Sequence, residues 1–155
     1  MLFECKPVPA AEAEYLLPLL LEAEEGEERI RSVLFDPTCM TYAARVDGDL
    51  IGAAVVRWEH AEASEIVYIA VAAKQRSQGY GKRMLTSLQA ELRTRGLSAL
   101  LVGTASASLE NLAFYQKCGF RMFEIRRDYF DYIQPPLWEH GIQLRDMVML
   151  RYEVE

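Results

Sequence analysis

The segment IAVAAKQRSQGYGKRML, residues 69–85, decides the fold, because a glycine-containing turn here joins a strand to a helix. Residues 65–72 are rich in β-branched side chains, which predicts a buried strand. Over residues 79–95 the apolar positions recur every three or four residues, which predicts an amphipathic helix, and Gly96 follows as its C-terminal cap. A strand that leads into a helix in this way indicates an α/β protein.

The flanking segments continue this mixture of strands and helices. Asp47-Gly48-Asp49 lies between two apolar runs and predicts a hairpin turn, and Ser108 is a suitable N-cap for a later helix. Pro18 would kink the first helix unless it lies in the first turn. The order β-α-α-β-β-β-α-β-α-β-β predicts a mixed α/β sheet. Further strands are predicted over 2–8, 40–46, 50–58, 97–102, 120–126 and 146–152, and further helices over 10–22, 24–34 and 109–117.

Length and composition indicate one globular domain over residues 1–155. Apolar residues make up 51% and charged residues 26%, which excludes a disordered or fibrous chain. The three cysteines, Cys5, Cys39 and Cys118, show no Cys-x-x-Cys spacing, so neither a disulfide framework nor a zinc cluster is expected. The sequence contains no signal-peptide pattern and no membrane span, and a cytoplasmic location is therefore expected.

The charge of the chain is unevenly distributed. The net charge is −6, and residues 1–30 account for all of it, with eight acidic residues against two basic ones. Residues 74–95 carry six basic residues against Glu91 alone. An acidic chain argues against nucleic-acid binding, whereas the local excess of positive charge allows a small anionic ligand near residue 80.

The turn before the predicted helix has the features of an anion-binding site. A helix N-terminus carries unpaired N–H groups and about half a positive charge, and Arg76 and Lys82 add charge beside it. Gly79 and Gly81 remove side chains that would keep a phosphate from the backbone. Neither a Walker A loop nor a dinucleotide fingerprint fits, because the glycines that they need are missing. The spacing alone leaves an ordinary turn before a surface helix as an equal alternative.

Two motifs resemble those of the GNAT superfamily of acyl-CoA-dependent N-acetyltransferases. Residues 76–81, RSQGYG, resemble its Arg/Gln-x-x-Gly-x-Gly/Ala motif, and residues 114–120, FYQKCGF, resemble its Tyr-x-Lys-x-Gly-Phe ending. Residues 65–71 resemble its central strand, and the element order over residues 30–126 also agrees. The resemblance implies a GNAT-like mixed, mostly antiparallel central sheet flanked by helices, with a splayed central strand pair. It also implies direct transfer of acetyl from acetyl-CoA to a primary amine in a ternary complex.

The resemblance assigns the binding of acetyl-CoA to specific positions. The backbone of residues 78–82 would hold the pyrophosphate, residues 69–71 would pair with the pantetheine arm, and the Val71 N–H would polarise the thioester carbonyl. Ser108 stands where the family often has an asparagine, and Asn111 lies one turn before Tyr115 instead. The residues expected to bind acetyl-CoA are Ile69, Ala70, Val71, Arg76, Ser77, Gln78, Gly79, Tyr80, Gly81, Lys82, Ser108, Asn111 and Tyr115.

Tyr115 and Glu65 are the expected catalytic residues. By resemblance, Tyr115 stabilises the leaving sulfur through a hydrogen bond, since full proton transfer from a phenol to a thiolate is unfavourable at their ordinary pKa values. Its alternative role is that of a core aromatic. Glu65 would remove a proton from the amine, with Tyr68 as a relay, because a primary amine is almost wholly protonated at neutral pH. A solvated Glu65 is the alternative, and His60 and His140 are the other candidate bases.

The long segment 127–147 is dense in aromatic and charged residues. It resembles a loop in a subset of bacterial GNAT proteins, which often have Asn where this chain has His140. As a lid it would supply Tyr129, Trp138, Glu139 and His140 to an amine pocket, and as a packed connector it would cover the sheet edge. Glutamates at positions 24, 25, 27 and 28 would form an acidic rim that favours a cationic amine, or simply solvated helix faces.

Two other functions compete with a small-molecule acetyltransferase. The chain could be an acyl-CoA-binding regulatory module without turnover, or an acetyltransferase whose acceptor is a protein or peptide amine. Cys118 lies at a helix end and does not suggest a covalent intermediate. Acetyl-CoA is expected as the cosubstrate, with no metal, no membrane partner and no nucleic acid. A homodimer is plausible through edge strands near the C-terminus.

Overall fold

A seven-stranded sheet forms the centre of the molecule, in the strand order β1-β2-β3-β4-β5-β9-β6. The computed structural model describes residues 1–23, 26–59 and 63–154. Within these residues the strands are β1 Phe3–Val8, β2 Cys39–Val46, β3 Asp49–Arg57, β4 Ser64–Val71, β5 Ala99–Ala105, β6 Arg121–Arg126, β7 Trp138–Glu139, β8 Ile142–Gln143 and β9 Met147–Glu153. The helices are α1 Leu17–Leu20, α2 Glu27–Leu34, α3 Tyr80–Thr94 and α4 Leu109–Lys117.

The helices cover the two faces of the sheet and enclose two apolar cores. Leucines of α1 and α2 pack on one face, against Ala53 and Val55 of β3, and α3 and α4 pack on the other, against Ala54 and Val56. Successive strand residues point to opposite faces, so the continuous apolar run of β3 serves both cores. None of the described helices is both long and apolar enough to span a membrane.

Helix α3 begins and ends as its sequence predicts. It runs over Tyr80–Thr94 and turns its apolar side chains into the core. At its end, Gly96 has a φ of 71° and donates its N–H to the Arg93 carbonyl, while the Leu97 N–H bonds to the Leu92 carbonyl. These two bonds form a Schellman motif, which a residue with positive φ makes possible.

The first predicted helix is wrong in its extent. Residues Ala10–Leu16 form a 3₁₀ helix, and only Leu17–Leu20 are α-helical. Pro18 lies in the first turn of α1, where its missing N–H costs no intrahelical hydrogen bond. The second predicted helix is observed as α2, although Glu24 and Glu25 lie outside the described residues.

The hairpin of β2 and β3 follows the prediction closely. Asp47 and Gly48 both have positive φ, at 51° and 89°, as a two-residue type I′ turn requires. The segment before β9 was predicted as an irregular loop, but it contains the short hairpin of β7 and β8. His140 and Gly141 form its turn, with φ values of 53° and 75°. An isolated two-residue strand leaves almost no alternation pattern to detect in the sequence.

The parallel pair of β4 and β5 is short, and this decides where a ligand can enter. The two strands pair only over Ser64–Ile66, opposite Leu100–Val102. A β-bulge in β4 lies just beyond, where Tyr68 and Ile66 pair with consecutive residues of β3. Bulges bend a strand and end its pairing, so β4 and β5 diverge after Ile66. The predicted mixed, mostly antiparallel sheet with a splayed central pair is confirmed.

Candidate active site

A cleft of about 920 Å³ occupies the gap between the diverging strands. Its walls come from β4 and β5, its upper end from the turn before α3, and its far side from α4 and the segment between β6 and β9. The residues expected to bind acetyl-CoA lie along this one cleft, apart from Gln78 and Tyr80, which do not line it. The described structure therefore brings most of the predicted set together.

The strand register determines which backbone groups of β4 face the gap. The Ala72 N–H bonds to the Ile51 carbonyl at 2.8 Å, and opposite residues in an antiparallel pair alternate between bonded and non-bonded positions. Ala70 is thus bonded to β3, whereas the N–H and C=O groups of Ile69 and Val71 are directed into the gap. The expected pairing of a ligand with Ala70 does not fit this register, because its backbone groups are already used inside the sheet.

The two glycines of the turn are required by the fold itself. Gly79 is the N-cap of α3 with a φ of 83°, a conformation that costs a residue with a Cβ about 1–2 kcal/mol. A Cβ on Gly81 would lie 3.0 Å from Cζ of Phe114, so the Phe114 ring would have to move by a few tenths of an ångström to admit it. Ser77 also has a positive φ, of 65°. Ser77, Gly79 and Gly81 line the cleft, so the N-terminus of α3, with its unpaired N–H groups, lies at the cleft mouth.

Basic side chains lie beside this turn. Arg76 donates from Nε to the Val71 carbonyl at 3.1 Å, and its Nη2 lies 3.6 Å from a carboxylate oxygen of Glu22. Lys82 is exposed and lines the cleft. The ring of Tyr80, in contrast, is buried and stacks on Phe3 with centroids 6.5 Å apart, so Tyr80 can offer a ligand only its backbone.

Tyr115 is placed for both of the roles that the sequence left open, that of a core aromatic and that of a donor in the cleft. Its ring packs in the core between Phe114 and Phe120, with centroid distances of 5.3 and 5.8 Å, and the residue also lines the cleft. Only 6% of it is exposed, and burial raises the pKa of its phenol. Tyr115 is therefore a protonated hydrogen-bond donor at the inner end of the cleft.

Ser108 is oriented differently from the expectation. It is the N-cap residue of α4, but its side chain makes no capping bond and donates to Oε1 of Glu139 at 3.0 Å. Asn111 lines the cleft and donates to the Thr104 hydroxyl at 3.3 Å. Ser108 thus connects α4 to the β7–β8 hairpin, and Asn111 connects α4 to β5.

Glu65 lies where β4 still pairs with β5, at the inner end of the cleft. It is half-buried, and burial raises the pKa of its carboxyl, while Arg126 and Arg57 oppose that rise. A raised pKa makes Glu65 a stronger base than an exposed glutamate. Tyr68 lines the same cleft, whereas His60 lies outside the described residues.

The segment between β6 and β9 forms the outer wall of the cleft. Tyr129 and Glu139 line it, together with the aromatic residues Phe130 and Tyr132, which the sequence analysis did not select. Trp138 was expected in the pocket, but it is 62% exposed and does not line the cleft, because neighbouring strand residues alternate in direction. The run YFDY at 129–132 was the sequence signal for the two missed residues.

His140 lies at the tip of the β7–β8 hairpin, outside the cleft lining. Its Nε2 lies 2.8 Å from a carboxylate oxygen of Glu110, and this contact lowers the pKa of Glu110. One carboxylate oxygen from each of Glu110 and Glu139 and one ring nitrogen of His140 lie within 4.8 Å of one another. The contacts of these residues with one another and with Ser108 hold the hairpin against the N-terminal turn of α4.

The remaining glutamates of the expected acidic rim have internal partners or lie elsewhere. Glu27 pairs with Arg31 at 3.1 Å within α2, and Arg31 also reaches Glu14 at 2.7 Å. Glu28 is exposed, and among the described glutamates of residues 1–30 it is Glu22 that lines the cleft. The three cysteines are free, as predicted, and burial raises the pKa of each of them, so none is an activated nucleophile.

Comparisons with known proteins agree on the family. The model of the acetyltransferase (GNAT) family matches residues 5–120. An uncharacterized N-acetyltransferase, YvbK, of Bacillus subtilis (strain 168) is 33% identical over 136 residues, which are 87% of this chain and 86% of that protein.

Solved structures give the same result. The IAA acetyltransferase from Bacillus cereus ATCC 14579 has a TM-score of 0.89 and 34% identity, covering 99% of this chain and all of that one. A GNAT family acetyltransferase from Elizabethkingia anophelis with acetyl-CoA bound has a TM-score of 0.88 and 33% identity, covering 98% of both chains.

Proposed function

The chain belongs to the GNAT acetyltransferase family and is an acetyl-CoA-dependent acyltransferase, and on that premise we propose that it acetylates a small primary amine. Transfer takes place directly between the two substrates in a ternary complex, within a single domain of residues 1–155. The observation that carries this proposal is the gap between β4 and β5, which leads from the N-terminus of α3 to Tyr115.

The binding of acetyl-CoA follows from the shape and polarity of this gap. The pyrophosphate binds at the first N–H groups of α3, with Arg76 and Lys82 beside it. The pantetheine arm lies along β4 and pairs with the main-chain groups of Ile69, as a strand of the sheet would. Its thioester end reaches the N–H of Val71, whose carbonyl already accepts a hydrogen bond from Arg76. Main-chain groups on the alternate residues Ile69 and Val71 suit a ligand that is extended and contains amide groups.

The chemistry requires an unprotonated amine and a stabilised leaving group. Glu65 takes a proton from the ammonium group, directly or through Tyr68, and the amine nitrogen attacks the thioester carbonyl carbon. The Val71 N–H stabilises the charge that develops on the carbonyl oxygen. As the carbon–sulfur bond breaks, the attacking nitrogen releases its excess proton to solvent, and the CoA thiolate leaves with a hydrogen bond from Tyr115, whose burial keeps it protonated.

The acceptor side of the cleft favours a small molecule over a peptide chain. The guanidinium of Arg29 in α2 lies 4.1 Å from the ring centroid of Tyr132, so helix and loop are in contact there. Such a cation–π contact bridges the side on which an extended peptide would have to enter. The aromatic walls from Tyr129 and Phe130 leave a partly apolar pocket.

The proposal is tested by measuring CoA release from acetyl-CoA with a panel of small amines and with peptides of the same terminal residues. We expect intersecting initial-rate lines with small amines and no acetylated enzyme by mass spectrometry. Parallel lines with an acetyl-enzyme would contradict direct transfer, and faster turnover of the peptides would contradict the acceptor class.

We also propose that the protein forms a homodimer through the edge strand β6. Its exposed apolar residues are Met122, Phe123 and Ile125, of which Ile125 is 65% exposed. An apolar edge strand is a ready template for pairing with another chain. Light scattering should give twice the mass of the chain, and Ile125→Lys should give the mass of a monomer.

A further inference from the structure

A second cavity, of about 530 Å³, lies on the far side of Glu65 from the acetyl-CoA cleft. Glu65 lines both cavities, so it forms the boundary between them. Three arginines, Arg57, Arg126 and Arg151, line this second cavity, and Glu59 is its other charged wall. Among the described lining residues, three arginines against two glutamates give a net charge of +1, in a chain whose net charge is −6.

The strand register explains why these side chains converge. Arg57 pairs with Glu65, Glu65 with Leu101, and Leu101 with Arg151, so they form one row across β3, β4, β5 and β9. Directly opposite residues point to the same face of a sheet. That face is the one on which α1 and α2 pack, because Leu100 and Leu150, the chain neighbours of Leu101 and Arg151, lie in the opposite core.

Along this row, the carboxylate of Glu65 is followed by the apolar side chain of Leu101 and then by the guanidinium of Arg151. Leu101 separates Glu65 from Arg151, and Arg126 comes to the cavity from the end of β6. Two strand spacings, roughly 10 Å at the backbone, separate Glu65 from Arg151. An acceptor whose amine approaches Glu65 would therefore extend toward two cationic side chains.

The arginines retain donors for a ligand despite their protein contacts. Arg126 binds Glu124 at 3.0 Å and Arg151 binds Glu153 at 2.7 Å, in both cases through Nε. A guanidinium has five N–H donors, and ion pairs at exposed sites contribute little to stability. Arg57, which lies 3.6 Å from Asp36, faces Glu65 across the strand pair. Arg126 and Arg151 are thus the pair suited to a bound anion.

We infer that the acceptor is a small amine that also carries a carboxylate, held by Arg126 and Arg151 while its amino group lies beside Glu65. This inference rests on the proposed function and specifies its acceptor. Arginine suits the role because its planar fork can donate two parallel hydrogen bonds to one carboxylate. The acid group thereby fixes the amine at the thioester end of the cleft.

The test uses glycine, β-alanine, 4-aminobutanoate and 6-aminohexanoate as acceptors, each beside its primary amide of equal length. We expect at least one acid to exceed its amide in kcat/KM by about tenfold or more, the loss expected when a hydrogen bond to a charged group is removed. The length that shows the largest ratio measures the distance from Glu65 to the arginine pair.

The variants Arg126→Gln and Arg151→Gln should each remove most of that ratio by raising the acceptor KM of the acids, with the KM for acetyl-CoA nearly unchanged. Arg127→Gln is the matched control, because Arg127 is exposed, follows Arg126 directly and does not line the cavity. Thermal unfolding of all three variants establishes that they are folded. Equal turnover of acids and amides, or equal effects of the Arg126 and Arg127 variants, would overturn the inference.

A calorimetric titration of the CoA complex with the same acids separates this inference from the proposed function. Binding that Arg126→Gln abolishes, without turnover of any amine, would support the carboxylate site and contradict the acetyltransferase proposal. Equal turnover of amides and acids would support the proposed function and contradict the carboxylate site. If the protein neither binds nor acetylates any of the acids, the inference is wrong.

Discussion

In the complex that we propose, the two ends of the cleft recognise their ligands by different means. At the cofactor end, main-chain groups of Ile69, Val71 and the first turn of α3 would contact the ligand, with Arg76 and Lys82 beside them, and all of these lie within one continuous stretch of chain. At the acceptor end, the groups are side chains from β3, β4, β6 and β9 and from the loop before β9.

This difference explains why the sequence predicts the cofactor end of the cleft better than the acceptor end. Main-chain recognition needs a particular backbone conformation, which leaves glycines in the sequence, such as Gly79 at a φ of 83°. Side-chain recognition needs only that distant residues meet, and an arginine in a strand looks the same whether or not it lines a cavity.

Replacing Tyr115 by Phe removes one hydroxyl at the junction of the two ends. We expect kcat to fall about a hundredfold, because the leaving thiolate loses its donor, with little change in either KM. The ring keeps its packing against Phe120, so thermal stability should change little.

Tyr152→Phe is the matched control for Tyr115→Phe. Tyr152 also packs on Phe120, with centroids 5.7 Å apart, but it does not line the cleft. An unchanged kcat in Tyr115→Phe, or an equal loss in Tyr152→Phe, would remove Tyr115 from the chemistry.

Glu65→Gln tests the base that separates the two cavities. We expect kcat/KM to fall about tenfold to a hundredfold for basic amines. In the wild type, kcat/KM should fall as the pH drops through the raised pKa of Glu65, because the protonated carboxyl cannot accept a proton. This acidic limb should lie at a higher pH than the ordinary pKa of a glutamate would give.

The limb should be absent from Glu65→Gln and present in Glu59→Gln, a variant of a carboxylate that lines only the second cavity. Both profiles are measured as kcat/KM against pH at saturating acetyl-CoA. A limb that survives in Glu65→Gln belongs to another group and would assign the base elsewhere.

Gly79→Ala and Gly96→Ala compare the two ends of α3. Both glycines have positive φ, of 83° and 71°, and an added Cβ would contact nothing within 4 Å at either. Each substitution should lower the free energy of unfolding by about 1–2 kcal/mol. Gly79→Ala should also raise the KM for acetyl-CoA about tenfold, because strain there shifts the N–H groups at the cleft mouth.

Gly96→Ala should leave the KM for acetyl-CoA unchanged, since Gly96 lies at the opposite end of the helix. The measurements are chemical denaturation and initial rates at varied acetyl-CoA. Equal KM values in the two variants would show that the turn before α3 does not position the cofactor.

Ser108→Ala determines which end of the cleft Ser108 serves. Its hydroxyl donates to Glu139 at 3.0 Å, and losing one such bond is expected to cost about 1 kcal/mol. We expect the acceptor KM to rise a fewfold through a looser β7–β8 hairpin, with the KM for acetyl-CoA unchanged.

Glu139→Gln and the double variant complete that experiment. Because the two residues are bonded to each other, their effects on the acceptor KM should be less than additive. A rise in the KM for acetyl-CoA alone would instead place Ser108 at the pantetheine, in the role suggested by the family's asparagine.

Much of the fold was predictable because its signals are local. Helix α3, its Schellman end at Gly96 and the Asp47-Gly48 hairpin depend on residues a few positions apart. The predicted extent of the first helix was wrong because the spacing of apolar residues does not distinguish a 3₁₀ helix from the first turns of an α-helix. The β7–β8 hairpin was missed because two-residue strands carry no period.

The side-chain site was harder to predict for the same reason. Trp138 was chosen for its residue type, but its strand turns it outward, whereas Phe130 and Tyr132 in the same segment line the cleft. Glu65 was predicted as the base by resemblance to the family. Its neighbours Arg57 and Arg151 lie 8 and 86 residues away in the chain, respectively, and only the sheet register brings them to it.

Local sequence signals predicted most of the element order and the turn before α3, and they allowed a small anionic ligand at that turn. These depend on backbone preferences that act over a few residues. Only the tertiary structure decided that β4 and β5 part after Ile66, that Ala70 is bonded within the sheet, and that Glu65 stands between two cavities. Strand order and register fix these features, because they set which distant residues become neighbours.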